Sequence, residues 1–383
     1  IMALAYKGKA LLWAGSPLMN WVSGGSKEYN TELCKRAADA FGQALALTES
    51  TNRYELADFS EYNDIFLLHN SSGKLNGVKE SIFMENIKDY SFRWRWNMVN
   101  DFRPQSIESS GIKSYPTANY VNYYGMQNGY PINDMTKADA ESGYDPTHPW
   151  KNRDPRFYKT IMFDGVKWRN TGGAGGTAEL FTGGRESEEA NEKKGCFTAY
   201  MNSKLCPQLM NTFDGYKENN IMILSLMRLA DVYLMYAEAT AVGYNSPKGK
   251  AATYSLTAEE ALNKIRERAG VAPVLEKFLG STADFLSELR RERAVELSFE
   301  GFRFTDLRRW MLLTQYPYTL KTKIEFDRAD PNNYNYDAPE ENAIKNLREV
   351  VLIERKYTDR HYWYPLPKKD VSMYEGFYQN PGW

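Results

Sequence analysis

Histidine and cysteine are scarce in this chain of 383 residues, which contains three of each. The histidines, His69, His148 and His361, lie far apart, and no two cysteines form a Cys-x-x-Cys motif. Zinc sites need clustered His and Cys ligands, and a cysteine nucleophile needs a nearby base, so we expect neither chemistry and no cofactor. Cys196 and Cys206 are ten positions apart, and the sequence leaves open whether they pair in an oxidising compartment.

An excess of charge of one sign is also lacking. The chain has 48 Lys and Arg residues against 49 Asp and Glu residues, for a formal net charge of −1. Nucleic-acid-binding proteins carry a basic surface, so we expect no nucleic-acid partner. The longest apolar stretch, residues 221–242, contains Arg228, Asp231 and Glu238, and charges at those depths favour a buried helix over a membrane span.

Aromatic residues, in contrast, are abundant. There are 27 Tyr, 18 Phe and 9 Trp, and residues 90–168 are especially rich in them. Indole and phenol rings pack against the C–H faces of sugars, while arginine donates hydrogen bonds to hydroxyl groups. We therefore predict a carbohydrate-binding platform in this region, or alternatively a set of aromatic residues that only fill the core. The candidates are Trp94, Arg95 as a polar clamp, Trp96, Tyr124 and Trp168, together with the series Tyr115, Tyr120, Tyr123 and Tyr130.

Hydrophobic periodicity predicts a mainly α fold, in which tetratricopeptide-like helical hairpins carry a long irregular ligand-binding face and a few short β hairpins. We divide the chain into a helical hairpin (1–50), an irregular ligand-facing region (51–220), a helical scaffold (221–315) and C-terminal loops with an extended segment (316–383). The predicted helices are Met2–Gly15, Glu32–Leu47, Met222–Val242, Thr257–Gly270, Asp284–Phe299 and a short helix after Gly301.

A dense group of charges lies on the helix predicted over 284–299. Glu292 and Glu296 are four residues apart, as an acid/base pair on one helical face would be, and Arg291 and Arg293 flank Glu292. A glycosidase needs two carboxylates on either side of a cleft. We interpret these glutamates instead as members of ion pairs between packed helices.

The motifs, taken in order, resemble the SusD/RagB family of outer-membrane nutrient-binding lipoproteins of Bacteroidetes. The resemblance extends over nearly the whole chain. The segments that carry it are Ala10–Pro17, Pro116–Val121, Gly125–Ile132, Asn152–Tyr158, Arg228–Ala239, Ala261–Gly270, Glu292–Trp310, Tyr364–Pro367 and Gln379–Trp383.

This resemblance implies a single SusD-like domain over residues 1–383 that lacks its N-terminal part. It implies a non-catalytic protein of the outer-membrane surface, held by a lipid anchor that is not present in this chain. It also implies a SusC-like TonB-dependent transporter as the partner to which an oligosaccharide is delivered. Peptide capture by the same architecture, a glycosidase and a purely structural scaffold remain alternatives. No family motif identifies the ligand-binding residues, so those named above come from the aromatic pattern alone.

Overall fold

The computed structural model describes residues 1–68, 77–84, 102–103, 114–170, 173–190, 192, 194–206, 211, 213–214 and 221–383. Most of the regular structure is helical, as predicted. The α-helices are α1 (Met2–Ala14), α2 (Pro17–Gly24), α3 (Thr31–Thr51), α4 (Ala118–Val121), α5 (Pro155–Thr160), α6 (Leu229–Gly243), α7 (Ala258–Ala269), α8 (Thr282–Glu296), α9 (Phe302–Arg309) and α10 (Lys368–Met373). Single 3-10 turns or short 3-10 helices lie at Phe59–Phe66, Gly173–Gly176, Glu276–Phe278, Pro331–Asn333, Pro339–Glu341 and Asp359–Tyr362.

Helix termini follow the local capping signals. Asn30 accepts a hydrogen bond from the Leu33 amide at the start of α3, which satisfies one of the unpaired amides there. Thr257 and Glu260 form a reciprocal capping box at the start of α7, and Gly270 ends that helix in the left-handed conformation. These signals explain why the predicted bounds of α7 agree with the structure to within a residue.

The helices pack in sequence, α1 on α3, α3 on α6, and α6 on both α7 and α8, around one apolar core. Helix α3 buries the face that periodicity predicts, which contains Phe41 and Leu45. The ring of Phe41 lies against Gly8 of α1, where a Cβ atom would be only 2.6 Å from the ring. Such close approach of two helices requires a residue without a side chain.

Two details of the helical prediction are wrong. Helix α1 buries Ala5, Gly8 and Leu12, whereas Met2 and Ala10 of the expected face are exposed. Helix α6 begins at Leu229, because the preceding residues, predicted as its first turns, form two short strands. In both cases an apolar run has no polar stripe to define one face, and packing against neighbours decides the outcome.

The strands form four two-stranded antiparallel sheets. They are β1 (Leu67–Leu68) with β5 (Ile221–Met222), β2 (Ser81–Met84) with β6 (Ser225–Arg228), β3 (Ile161–Met162) with β4 (Met201–Asn202), and β7 (Leu320–Arg328) with β8 (Ile344–Glu354). The last pair is a long hairpin in a segment for which only loops and an extended piece are predicted. Alternating burial along β7 shows that one face packs on the protein.

Residues from the 118–201 segment form most of a second core, which also includes Val295 and apolar residues of the β7–β8 hairpin. In this core the ring of Trp150 packs against those of Phe163 and Phe326. Cys196 is a buried thiol in this core, and its Sγ atom donates to the carbonyl oxygen of Tyr200 at 3.2 Å.

No helix in the described part of the chain combines the length and the apolar composition that a membrane span needs.

Candidate functional site

Of the five residues predicted to form the platform, the structure describes two. Trp94, Arg95 and Trp96 lie outside the described residues. Tyr124 and Trp168 are described, and their exposed fractions are 0% and 1%, so neither ring offers a face to a ligand in this structure. The prediction that Tyr124 and Trp168 present exposed rings to a ligand is therefore wrong for this structure.

Burial of Tyr124 has a clear physical reason. Its hydroxyl donates to Ser298 Oγ at 2.7 Å and accepts a hydrogen bond from Thr160 Oγ1 at 2.8 Å. A buried tyrosine whose hydroxyl is satisfied on both sides is a stable core residue.

Trp168 is enclosed by its neighbours. Its ring packs nearly at right angles to that of Phe213, and the guanidinium of Arg169 lies 5.0 Å from the centroid of the Trp168 ring.

The charged group on α8 is a buried ion network, in agreement with the ion pairs expected from the sequence. Glu296 contacts Arg156 at 3.0 Å and Arg228 at 2.8 Å, and it also pairs with Arg268. Burial by itself would raise the pKa of Glu296, but Arg268, Arg228 and Arg156 hold that pKa well below its ordinary value. Glu292 is likewise enclosed by arginines, so neither glutamate can serve a cleft as an acid or base.

A second set of buried ion pairs fixes the position of α9. Asp306 accepts from Arg293 of α8 at 2.9 Å and from Arg309 at 2.8 Å. Arg309 extends further and pairs with Glu238 of α6. Because these three helices are joined by charged hydrogen bonds, the remaining face of α9 is held in a fixed orientation.

That face borders a cleft of about 480 Å³, which we call the aromatic cleft. The segment before α4, the turn between α8 and α9, helix α9 and the base of the β7–β8 hairpin form its walls. Aromatic side chains and cations dominate the lining. Its lining residues are Tyr115, Pro116, Thr117, Tyr120, Phe299, Gly301, Arg303, Phe304, Leu307, Leu313, Tyr318, Lys321, Arg355 and Tyr357.

The aromatic rings of the cleft support one another. Tyr120 lies 5.8 Å from the ring of Phe299, and its hydroxyl donates to the Ala294 carbonyl oxygen at 2.6 Å. Phe304 is 37% exposed and Tyr318 is half-buried, so parts of both rings remain accessible. Partly exposed rings on a rigid support provide stacking surfaces at little conformational cost.

Three cations line the same cleft. The guanidinium of Arg303 lies 5.6 Å from the Tyr318 ring, and Arg355 donates to the Tyr357 hydroxyl at 3.1 Å. Burial, followed by repulsion from Arg355 and Arg303, lowers the pKa of Lys321 to about 8. Lys321 is therefore both partly removed from water and close to two other positive charges.

The turn between α8 and α9 shapes one wall of the cleft. Phe299 has φ 63° and Gly301 has φ 86°, which places both in the left-handed region. A side chain at such a position is costly, and it persists only where surrounding structure enforces it. Here the turn brings Phe299 and Arg303 to the same cleft.

The lining, as far as the structure describes it, contains no carboxylate and no histidine. Glycoside hydrolysis requires two carboxylates beside the scissile bond, and general acid–base chemistry most often uses histidine. The arrangement is suited instead to binding, through ring faces for apolar surfaces and cations for oxygen atoms.

Only part of this cleft is predicted from the sequence. Tyr115 and Tyr120 belong to the predicted tyrosine series, whereas Phe304, Tyr318 and Tyr357 are missed. They come from three separated segments, and no pattern local to any one of them signals that they meet. The useful signal is the concentration of aromatic residues near Arg303 and Arg355, which linear spacing cannot assign to one surface.

Comparison with known proteins identifies the fold. A model of the SusD family matches residues 79–383, which is most of the chain. The chain belongs to the SusD family. Among curated proteins, none is detectably similar to it.

Solved structures agree with this SusD-family assignment. A SusD-like protein from Bacteroides fragilis shares 21% identity at a TM-score of 0.68, covering 100% of this chain and 64% of that one. A SusD-like carbohydrate-binding protein from the same species shares 20% identity at 0.63, covering 97% and 63%. A SusD homologue from Bacteroides thetaiotaomicron shares 19% identity at 0.55, covering 100% and 63%. This chain therefore spans less than two thirds of the length of these three proteins, and the likeness shows the fold.

Proposed function

We propose that this SusD-family protein is a non-catalytic cell-surface protein that binds an oligosaccharide and delivers it to a SusC-like TonB-dependent transporter in the outer membrane. Membership of the family supports the general role. One solved relative is described as a carbohydrate-binding protein. The observation that carries the proposal for this chain is the aromatic cleft.

The cleft has the features of a sugar-binding site. Its volume of about 480 Å³ lies within the usual range for small-ligand sites. Phe304 and Tyr318 offer partly exposed rings, and Arg303 is held by stacking on Tyr318 and by donating to the Arg290 carbonyl oxygen at 3.1 Å. Rings that stack on C–H faces beside fixed donors for hydroxyl groups form the combination that sugars require.

The test is a glycan and peptide array followed by calorimetry with the best ligand. We expect an oligosaccharide to bind, and we expect the double variant Phe304→Ala with Tyr318→Ala to lose at least about tenfold in affinity, because each buried ring contact contributes about 1 kcal/mol or more. The matched control is Tyr378→Ala, whose ring is 83% exposed and lies outside the cleft lining.

Three other results of this experiment would lead to different conclusions. Full binding by the double variant would place the glycan elsewhere, with Trp94, Arg95 and Trp96 as the next residues to substitute. Binding of peptides without glycans would favour peptide capture by the same architecture. Hydrolysis of the bound oligosaccharide by the purified protein would show a glycosidase and overturn the non-catalytic assignment.

A further inference from the structure

The cations of the aromatic cleft differ from the arginines of the buried ion network in their charged neighbours. Within the part of the chain that the structure describes, Arg303, Lys321 and Arg355 form no salt bridge, whereas buried Arg156 and Arg228 each contact two or more carboxylates. Three like charges around one cleft repel one another, so their grouping stores unfavourable electrostatic energy.

Two lysines of the same strand show the contrast most directly. Lys323 of β7 contacts Glu325 at 2.8 Å and Glu188 at 3.2 Å. Lys321, two residues earlier, has Arg355 and Arg303 as its charged neighbours, and burial together with repulsion from these arginines lowers its pKa to about 8. The strand thus neutralises one lysine and leaves the other uncompensated at the cleft.

Two of the three uncompensated cations, Arg303 and Arg355, also have contacts that hold them in place. Arg303 stacks on the rings of Tyr123 at 4.8 Å and Tyr318 at 5.6 Å. The Arg355 side chain donates to Tyr357, and its backbone amide donates to the Thr319 carbonyl oxygen at 2.9 Å. Charges fixed in advance lose little entropy when an anion binds, so they favour a ligand that carries negative charge.

We infer that the aromatic cleft selects anionic oligosaccharides, in which carboxylate or sulfate groups contact Arg303, Lys321 and Arg355 while sugar rings pack on Phe304 and Tyr318. This inference rests on the proposed function and specifies its ligand class. Uronate carboxylates and sulfate esters present the same anionic oxygens, and arginine binds both with paired hydrogen bonds.

The experiment measures affinity by calorimetry for three sugars of matched length: a neutral malto-oligosaccharide, an oligogalacturonide and a sulfated chondroitin oligosaccharide. We expect at least one anionic sugar to bind at least about tenfold more tightly than the neutral sugar at low salt. This preference should shrink as sodium chloride is raised from about 0.05 to 0.5 M, because salt screens charge interactions.

Variants test whether the preference belongs to the cleft. Lys321→Met and Arg355→Gln should each weaken binding of the anionic sugar about fivefold or more, and should weaken binding of the neutral sugar by a smaller factor. Lys356→Gln is the matched control, since Lys356 is an exposed neighbour of Arg355 that does not line the cleft. Melting temperatures within about 3 °C of the parent would show that the variants remain folded.

The outcomes separate the inference from the proposed function. Equal affinity for neutral and anionic sugars, lost in the Phe304→Ala and Tyr318→Ala variant, would overturn the anionic inference and leave oligosaccharide binding intact. Binding of no sugar at all would count against both. Hexaglutamate binding as tightly as the oligogalacturonide would show recognition of charge alone and overturn the assignment to a sugar.

Discussion

The buried ion network of α8 and the aromatic cleft use the same kinds of residue in opposite ways. In the network, Arg228 contacts Glu80, Glu296 and Glu300, all with side chains fully buried. In the cleft, Arg303 and Lys321 have aromatic and cationic neighbours. The two regions are adjacent, because the α8–α9 turn connects them.

The difference follows from solvation. A buried charge without a partner costs several kcal/mol, so a cation inside a core must be paired within the protein. A cation at an open cleft keeps water on one side and tolerates the lack of a carboxylate, at a modest electrostatic cost. Charges that remain uncompensated beside rigid aromatic rings are therefore available to a ligand, and those of the network are not.

The largest expected effect comes from breaking the network. Glu296→Gln leaves Arg156, Arg228 and Arg268 without one of their shared carboxylates, and removing one partner of a buried pair costs about 3–5 kcal/mol. Urea denaturation should show this loss in the free energy of unfolding. Glu341→Gln, which removes an exposed pair with Lys151, should cost less than about 1 kcal/mol. Similar losses for both variants would refute the contrast between buried and exposed charge.

A smaller effect is expected at the turn that connects the two regions. Gly301 has φ 86°, and Gly280 has an ordinary φ, while a Cβ atom at either position would meet nothing within 4 Å. Gly301→Ala should therefore destabilise the protein by about 1–2 kcal/mol through backbone strain alone. Gly280→Ala should be neutral or slightly stabilising. If urea denaturation gave the same change for both, strain at this cleft wall would be ruled out.

The smallest expected effect is a dependence of ligand affinity on pH, through Lys321 of the aromatic cleft. Lys321 has a pKa of about 8, lowered by burial and by Arg355 and Arg303, so it is mostly protonated at pH 7 and mostly neutral at pH 9. Arginines stay charged over this range, and burial raises the pKa of Tyr318, which stays neutral. Affinity for an oligogalacturonide should therefore fall about threefold to fivefold between pH 7 and pH 9.

In calorimetry, Lys321→Met should remove this pH dependence, whereas Lys356→Gln should retain it. The effect of Lys321 on the stability of the folded state changes with pH in the opposite direction. Since the folded protein binds fewer protons at Lys321 than the unfolded chain between pH 8 and the ordinary lysine pKa, this residue makes the folded state more stable as pH rises there. An unchanged affinity from pH 7 to pH 9 in the parent protein would contradict the assignment of Lys321 to the anion site.

Much of the scaffold is predictable from local patterns. Helix α7 is found through its capping box and Gly270, and the buried face of α3 through regular spacing of Ala37, Phe41 and Leu45. Helix α6 begins later than predicted, because the apolar residues before Leu229 pair with distant strands. The pairing of Ser81 with Arg228 joins residues almost 150 positions apart, and periodicity carries no information about such contacts.

Less of the candidate site than of the scaffold could be predicted from the sequence. Aromatic enrichment between residues 90 and 168 correctly includes Tyr115 and Tyr120 of the cleft, yet the same enrichment includes Tyr124 and Trp168, which are buried. A tyrosine suits a core and a ligand surface equally well, because one side of the residue is apolar and its hydroxyl needs only one partner. Trp94, Arg95 and Trp96 remain predicted contacts.

The sequence by itself determined the helical class, the positions of the main helices, the family and the ionic character of α8, because caps, periodicity and ordered motifs are local properties of the chain. Only the tertiary structure decided which aromatic residues reach a surface and which cations lack a carboxylate. Both are set by contacts between segments far apart in sequence. Arg303 lies in α9, Lys321 in β7 and Arg355 directly after β8, and their shared cleft exists only after those elements pack.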